Sequence, residues 1–146
     1  MKNEETMEIY LDNAATTKTL PVVNEAMMEV LEQGFGNPSS KHILGVNAEK
    51  YIKDATNTIS KILKCNPKEI VYTSCATESN NTAIFGSALK RERFGKHLIT
   101  SQIEHPSVKE AFLELENRGF RVTFLPVDSK GKVDIEALKE ALDEET

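Results

Sequence analysis

The run Thr73-Ser74-Cys75-Ala76-Thr77 places small and hydroxyl-bearing side chains where chemistry can be held. It follows an apolar, β-branched stretch, Glu69-Ile70-Val71-Tyr72, and precedes a helical run from Ala83-Ile84-Phe85 through Leu89. Strand, tight turn and helix start in that order leave backbone N–H groups unpaired at the positive end of a helix. Hydroxyls from Thr73, Ser74 and Thr77 add donors, and the combination suits a phosphate. On this reading Ala76 and Thr77 grip a cofactor phosphate. Taken alone, the stretch is more simply an ordinary helix cap, because Ser and Thr cap helices generally. His105 is the second candidate. It stands between a strand end and a helix start, beside Glu104 and ahead of Pro106. A histidine there can stack on an aromatic cofactor or carry protons near neutral pH. The alternative is a solvated loop histidine.

The remaining reactive residues point elsewhere. A helix N-terminus lowers a thiol pKa, which makes Cys75 a conceivable nucleophile. A small residue filling a tight turn is the plainer account of it. Cys65, beside Asn66-Pro67, reads as inert. His97 reads as structural, and His42 as part of the approach to a helix. The charge runs from Lys90 to Arg93 and from Asp143 to Glu145 read as solvated faces. No metal-ligand spacing is present.

Composition bounds the class. The 146 residues suit one domain. A hydrophobic share of 39% with 28% charged residues fits a globular chain and excludes a disordered one. The net charge of −5, without a basic block, argues against a nucleic-acid surface. No apolar run is long enough for a membrane span, and Met1-Lys2-Asn3-Glu4-Glu5 has no apolar signal core. Both observations point to the cytoplasm. Two cysteines make neither a disulfide framework nor a metal site.

The elements that must position these residues follow from periodicity. Residues 1–8 are polar and expected to fray. Ile9-Tyr10-Leu11 is expected to be extended, and the run from Asp12 to Thr17 is a loop. Pro21 opens an amphipathic helix over 21–33, stopped by Gly34. Residues 34–40 form a second loop. A helix runs from about Ile43 to residue 64, and Cys65-Asn66-Pro67 ends it. A strand is expected over 69–74, then a helix to about Phe94 with Gly95 as its cap. A second strand covers 97–101, and a third helix carries Val108, Ala111, Phe112 and Leu115 up to Gly119. A third strand begins at Phe120 and ends or reaches an edge at Pro126. A turn over 129–132 leads to a last helix capped by Asp134. Alternation from 69 to 127 predicts βαβ units and a partly parallel sheet. Ligands in such sheets collect outside the carboxyl ends of the strands. The loops there hold Ser74 to Thr77, Ser101 to His105 and Pro126 to Lys132.

Four stretches carry a resemblance. The run from Tyr10 to Thr17, Tyr-Leu-Asp-Asn-Ala-Ala-Thr-Thr, resembles the opening motif of class V aminotransferases. Phe35-Gly36-Asn37-Pro38-Ser39-Ser40, with His42, Gly45 and Ala48, resembles the next motif of the cysteine desulfurases of the nitrogen-fixation and iron–sulfur-cluster type. Thr73-Ser74-Cys75-Ala76-Thr77-Glu78 is similar to that family's phosphate turn, and Glu104-His105 to its cofactor-stacking histidine. The match runs in order over nearly the whole chain. It implies an α/β fold: the N-terminal part of a fold-type I PLP-dependent transferase large domain, with an incomplete, mostly parallel sheet and flanking helices. Residues 1–68 would be an N-terminal arm with helices, and 69–146 the first βαβαβ part of the pyridoxal phosphate (PLP)-binding domain.

The same resemblance implies roles. Ala76 and Thr77 hold the phosphate, and His105 lies over the pyridine ring and moves protons. Asn13 and Asn37 lie near the substrate. L-cysteine is the substrate, L-alanine the product, and an enzyme persulfide supplies iron–sulfur assembly through a sulfur-acceptor scaffold protein. Members are dimers. Two departures accompany the match. The family has Gly where this chain has Cys75, which would strain the backbone if the position needs φ > 0. The family chain is also more than twice as long. These residues stop before the aspartate that pairs with the pyridine nitrogen, the Schiff-base lysine and the sulfur-accepting cysteine. The expectation is therefore an inactive N-terminal fragment with weak or absent PLP binding, paired with itself or with the missing C-terminal part. Strand 70–74 would not neighbour the other two strands, leaving open edges and an incomplete core, unless all three re-pair. A selenocysteine lyase, another class V aminotransferase, or a non-catalytic module that pairs with a second chain are the alternatives.

Overall fold

The computed structural model describes residues 9–146. The expected fraying of residues 1–8 lies outside them. The chain forms two compact units, one ending at Val71 and one spanning Tyr72–Thr146.

In the first unit Ile9-Tyr10-Leu11 joins no strand, and a turn follows over residues 13–15. Helix α1 covers Pro21–Gln33, with Pro21 in its first turn and Gly34 behind it. Helix α2 covers Ile43–Leu63. His42 caps α2, its Nδ1 accepting from the Gly45 N–H at 3.3 Å. Gly45 is dictated by a close approach of backbone: a Cβ there would stand 2.2 Å from the Ser40 carbonyl oxygen and 2.7 Å from that of Asn37. The loop before α2 therefore folds onto the helix's first turn, which a side chain at 45 would prevent. The Tyr51 hydroxyl donates to Glu29 at 2.9 Å and joins α2 to α1. That bond to a carboxylate raises the Tyr51 pKa. No residue of α1 is buried. Val22 is 65% exposed and Leu31 68%. The amphipathic pattern thus marks a helix without supplying a cover for its apolar face.

The expected strand over 69–74 does not form. Residues Pro67–Glu69 make a 3-10 turn with a capping box between Asn66 and Glu69. Ile70 is extended, at φ −87 and ψ 120. Its β-branched neighbours favour that conformation, but a strand also needs a hydrogen-bonded partner. Among the described residues the sheet holds two strands and this stretch is neither, so the three expected strands do not re-pair into one sheet.

The second unit is a βαβ crossover with a helix on each side of it in sequence. Helix α3 covers Ala76–Arg91. Strand β1 covers His97–Ser101, α4 Pro106–Asn117, and β2 Arg121–Leu125. The strands are parallel, from His97 beside Arg121 to Ser101 beside Leu125. β2 stops immediately before Pro126, which has no N–H to give to a ladder. Helix α5 covers Ile135–Ala141, capped by Asp134. α3 ends three residues short of the expected Phe94. The chain turns there because Gly95 packs backbone to backbone on Glu145, where a Cβ would lie 2.2 Å from the carbonyl oxygen. Gly119 adopts φ +91 just past α4. Only glycine takes that conformation without strain, and it frees the chain to enter β2.

The core is Ala88 of α3, Leu115 of α4 and Phe120, with Ile84, Phe85 and Leu98 against them. Leu115 is fully buried. At the amino end of the sheet His97 is buried and bonded on both ring nitrogens. Nδ1 lies 2.7 Å from the Thr146 hydroxyl, and Nε2 lies 2.7 Å from that of Thr123. Asp143 pairs with Arg121. The acidic run is therefore not simply a solvated face, because its first residue fastens the chain after α5 to β2. The Arg121 guanidinium keeps the Asp143 carboxyl below its ordinary pKa.

Cys75 resolves the question of strain. Its φ is −164 and its ψ is 169, extended backbone open to any residue. The position does not need φ > 0, so a Cβ there costs nothing. Two outcomes follow. Leu115→Ala should lower unfolding free energy in urea by about 2–5 kcal/mol, the range for truncating a buried leucine. Cys75→Gly should bring no gain, and a loss of up to about 1 kcal/mol from added chain freedom. A clear stabilisation by glycine in the same urea series would show that the site is strained.

Candidate functional site

The α3 start offers the donors of an anion site. Cys75 is the cap residue, and its carbonyl accepts from the Ser79 N–H at 3.1 Å. The N–H groups of Ala76, Thr77 and Glu78 have no carbonyl within the helix to bond. Not every hydroxyl foreseen for an anion is available to one. Thr73 Oγ1 lies 2.6 Å from Ser79 Oγ. Ser74 gives both its N–H and its hydroxyl to Glu78 Oε2, each at 2.7 Å. These donors, the hydroxyl first, hold the Glu78 pKa down. Thr73 and Ser74 therefore shape the turn, and among the described residues no hydrogen bond takes up the Thr77 hydroxyl.

The Cys75 thiol is exposed. Its pKa lies below the ordinary value, drawn down by the Glu78 N–H first, then by the Ser74 hydroxyl and the Thr77 N–H. The Glu78 carboxylate and partial desolvation oppose this. No full side-chain capping bond forms.

His105 sits where β1 has ended and α4 begins. It caps α4, with Nδ1 accepting from the Ser107 N–H at 3.1 Å. The Ser107 hydroxyl lies 2.9 Å from the same nitrogen. Asn80 Nδ2, one turn into α3, donates to that hydroxyl at 2.9 Å. The chain of bonds runs from α3 through Ser107 to the imidazole. Glu104 does not take part, since Ser101 Oγ donates to its carboxylate at 2.7 Å. Sequence reading missed both Asn80 and Ser107. Their only signal was a polar residue in each helix's first two turns, which is also how plain solvated positions read.

Ala76, Thr77 and His105 thus lie in one unit, on helix starts joined by a side-chain bridge. Asn13 and Asn37 lie in the other unit, each fastening its own loop. Asn13 Nδ2 donates to the Tyr10 carbonyl at 3.3 Å. Asn37 Oδ1 accepts from the Ser39 N–H at 2.9 Å. An apolar cleft of about 530 Å³ in the second unit is lined by Ile84, Phe94, Leu98, Phe112 and Phe120. It includes His97, at the amino end of β1. Its polar lining is sparse, and ligands of open α/β sheets gather at the opposite ends of the strands.

Comparison with known proteins gives this geometry a context. Residues 9–146 match the family model described as Aminotransferase class-V. The chain is 51% identical over 138 residues to a NifS/IcsS protein homolog of Lactobacillus delbrueckii subsp. bulgaricus, covering 94% of this chain and 36% of that one. It is 47% identical over 139 residues to the cysteine desulfurase IscS of Dictyoglomus turgidum, covering 95% and 35%. A solved NIFS-like protein superposes with a TM-score of 0.90 at 39% identity, over 96% of this chain and 38% of that chain. A structure of SspA in complex with cysteine does so with 0.82 at 41% identity, over 91% and 38%. The chain spans about a third of the length of the curated relatives it matches. A family match over nearly every residue, with cysteine desulfurases among the relatives, shows that this chain belongs to the class V aminotransferases, a PLP-dependent family.

Proposed function

We propose that these residues form the phosphate-holding and ring-covering part of a PLP-dependent cysteine desulfurase. The whole protein takes sulfur from L-cysteine, releases L-alanine and carries the sulfur as a persulfide to an iron–sulfur scaffold protein. It works in the cytoplasm as a dimer. One observation carries the reading: the α3 start and the His105 cap are held in the same unit by the Asn80–Ser107 bridge.

The donor set fits the cofactor. A phosphate dianion gains from unpaired helix N–H groups and from the helix's positive end. Ala76 and Thr77 supply N–H groups there, and Thr77 adds its hydroxyl. Glu78 braces the turn through Ser74, so it is not an unpartnered carboxylate turned on the anion. PLP, when bound, supplies the electron sink of the reaction. His105 would present a flat imidazole to cover the cofactor's aromatic ring. Asn13 and Asn37 serve the substrate side. No Ser-x-His-Lys sequence occurs within the 146 residues. Their share of the reaction is to bind and orient, and by themselves they bind PLP weakly and do not desulfurate cysteine.

Backbone NMR of this chain, titrated with inorganic phosphate and then with PLP, should move the Ala76 and Thr77 amides first. Silence at both positions, with shifts elsewhere or none, would count against the phosphate turn. Thr77→Val should weaken phosphate about tenfold or more, because it removes a hydrogen bond to a charged group. Unchanged affinity would take the Thr77 hydroxyl out of the site.

A further inference from the structure

His105 is held at one nitrogen only. Nδ1 receives the Ser107 N–H at 3.1 Å, and a backbone N–H can only donate. Nδ1 must therefore present its lone pair. The Ser107 hydroxyl, 2.9 Å away, meets the same lone pair. Ser107 Oγ in turn accepts from Asn80 Nδ2 at 2.9 Å. An oxygen that accepts from the amide keeps its own proton to give, and it gives it to the imidazole. The donors run in one direction, from Asn80 to Ser107 to His105. Among the described residues no protein atom bonds Nε2.

From this geometry we infer that Asn80 and Ser107 are positioning residues that lock His105 in the Nε2–H tautomer, so that this nitrogen is a donor. The inference rests on the proposed reading of His105 as the residue covering the cofactor ring. It deepens that reading by naming the nitrogen that carries the proton and the residues that decide it. Both act through the imidazole. Asn80 acts from α3 and Ser107 from α4, so the helix that offers the phosphate donors also sets the imidazole. With its hydrogen on Nε2 a neutral imidazole donates there and cannot take up a proton at that atom, so His105 is set as a hydrogen-bond donor on that nitrogen. A ring with the proton on Nδ1 would lose its cap on α4 and present a bare lone pair instead.

The test reads nitrogen chemistry directly and needs no cofactor. Long-range ¹H–¹⁵N correlation spectra of the whole 146-residue chain report the tautomer of each of its three histidines. They are recorded at pH about 8, where imidazole is neutral, and His105→Gln identifies the His105 signals. Wild type should show the Nε2–H form for His105, with Nδ1 shifted upfield by the bonds it accepts. Asn80→Asp turns the bridge round, because a carboxylate takes the serine proton, and Nδ1 should move downfield. Ser107→Ala should give the same downfield shift, and Ser107→Thr, which keeps the hydroxyl, should restore the wild-type position. An unchanged Leu115 amide certifies the fold in each variant. An Nδ1–H ring in the wild type, or Nδ1 signals indifferent to both Asn80→Asp and Ser107→Ala, would overturn the proposal. Phosphate titration of the same samples separates the two readings. A locked tautomer with no shift at Ala76 or Thr77 would sink the cofactor reading alone. Shifts there beside an unlocked ring would sink the bridge alone.

Discussion

Two parallel strands cannot be joined by a tight turn. The chain leaving β1 must travel back along the sheet before it can enter β2 in the same direction. That constraint produces α4, and burial of α4 produces the rest of the second unit. Leu115 fills the space between α4, α3 and the sheet, with Ala88 and Phe120 around it. Because the crossover helix begins where β1 ends, its cap stands at the carboxyl end of the strand. The residue in that place is His105. The site is in this sense a by-product of topology: the same crossover that buries Leu115 carries an imidazole to the edge where ligands of such sheets are found.

Local signals account for what was legible. Pro21 and Gly34 bracket α1, Pro126 ends β2, and Asp134 caps α5, all through backbone rules that act within a few residues. The alternating apolar runs at 97–101 and 121–125 found each other because a helix of suitable length lies between them. The stretch over 69–74 has the same composition and is not a strand. Pairing is a long-range event, and β-branched residues supply only willingness to extend. The end of α3 was misplaced for a related reason, since the contact between Gly95 and Glu145 joins positions fifty residues apart.

The site itself divides along the same line. Ala76, Thr77 and His105 were readable because each sits at a helix start announced by its neighbours. Asn80 and Ser107 were not, because a polar residue on a helix says nothing about which residue faces it. The hydroxyls of Thr73 and Ser74 were readable as donors, but their direction was not. The structure turns them inward, to Ser79 and Glu78, and they brace the loop. Cys75 poses a condition that only the backbone decides: a cysteine in place of glycine is strained if φ is positive, and the backbone there is extended. The lowered thiol pKa follows from helix N–H groups that also suit a phosphate, so thiolate and phosphate compete for the Thr77 N–H.

The buried His97 ring is held otherwise than His105. Nδ1 faces the Thr146 hydroxyl and Nε2 that of Thr123, so both nitrogens are spoken for. Thr146 Oγ1 also accepts from the Asp143 N–H at 3.0 Å and lies 3.1 Å from the Asp143 carboxylate, which ties the ring to the turn after α5. An imidazole fastened at both corners is a strut, whereas one tied at a single corner keeps the other for a visitor.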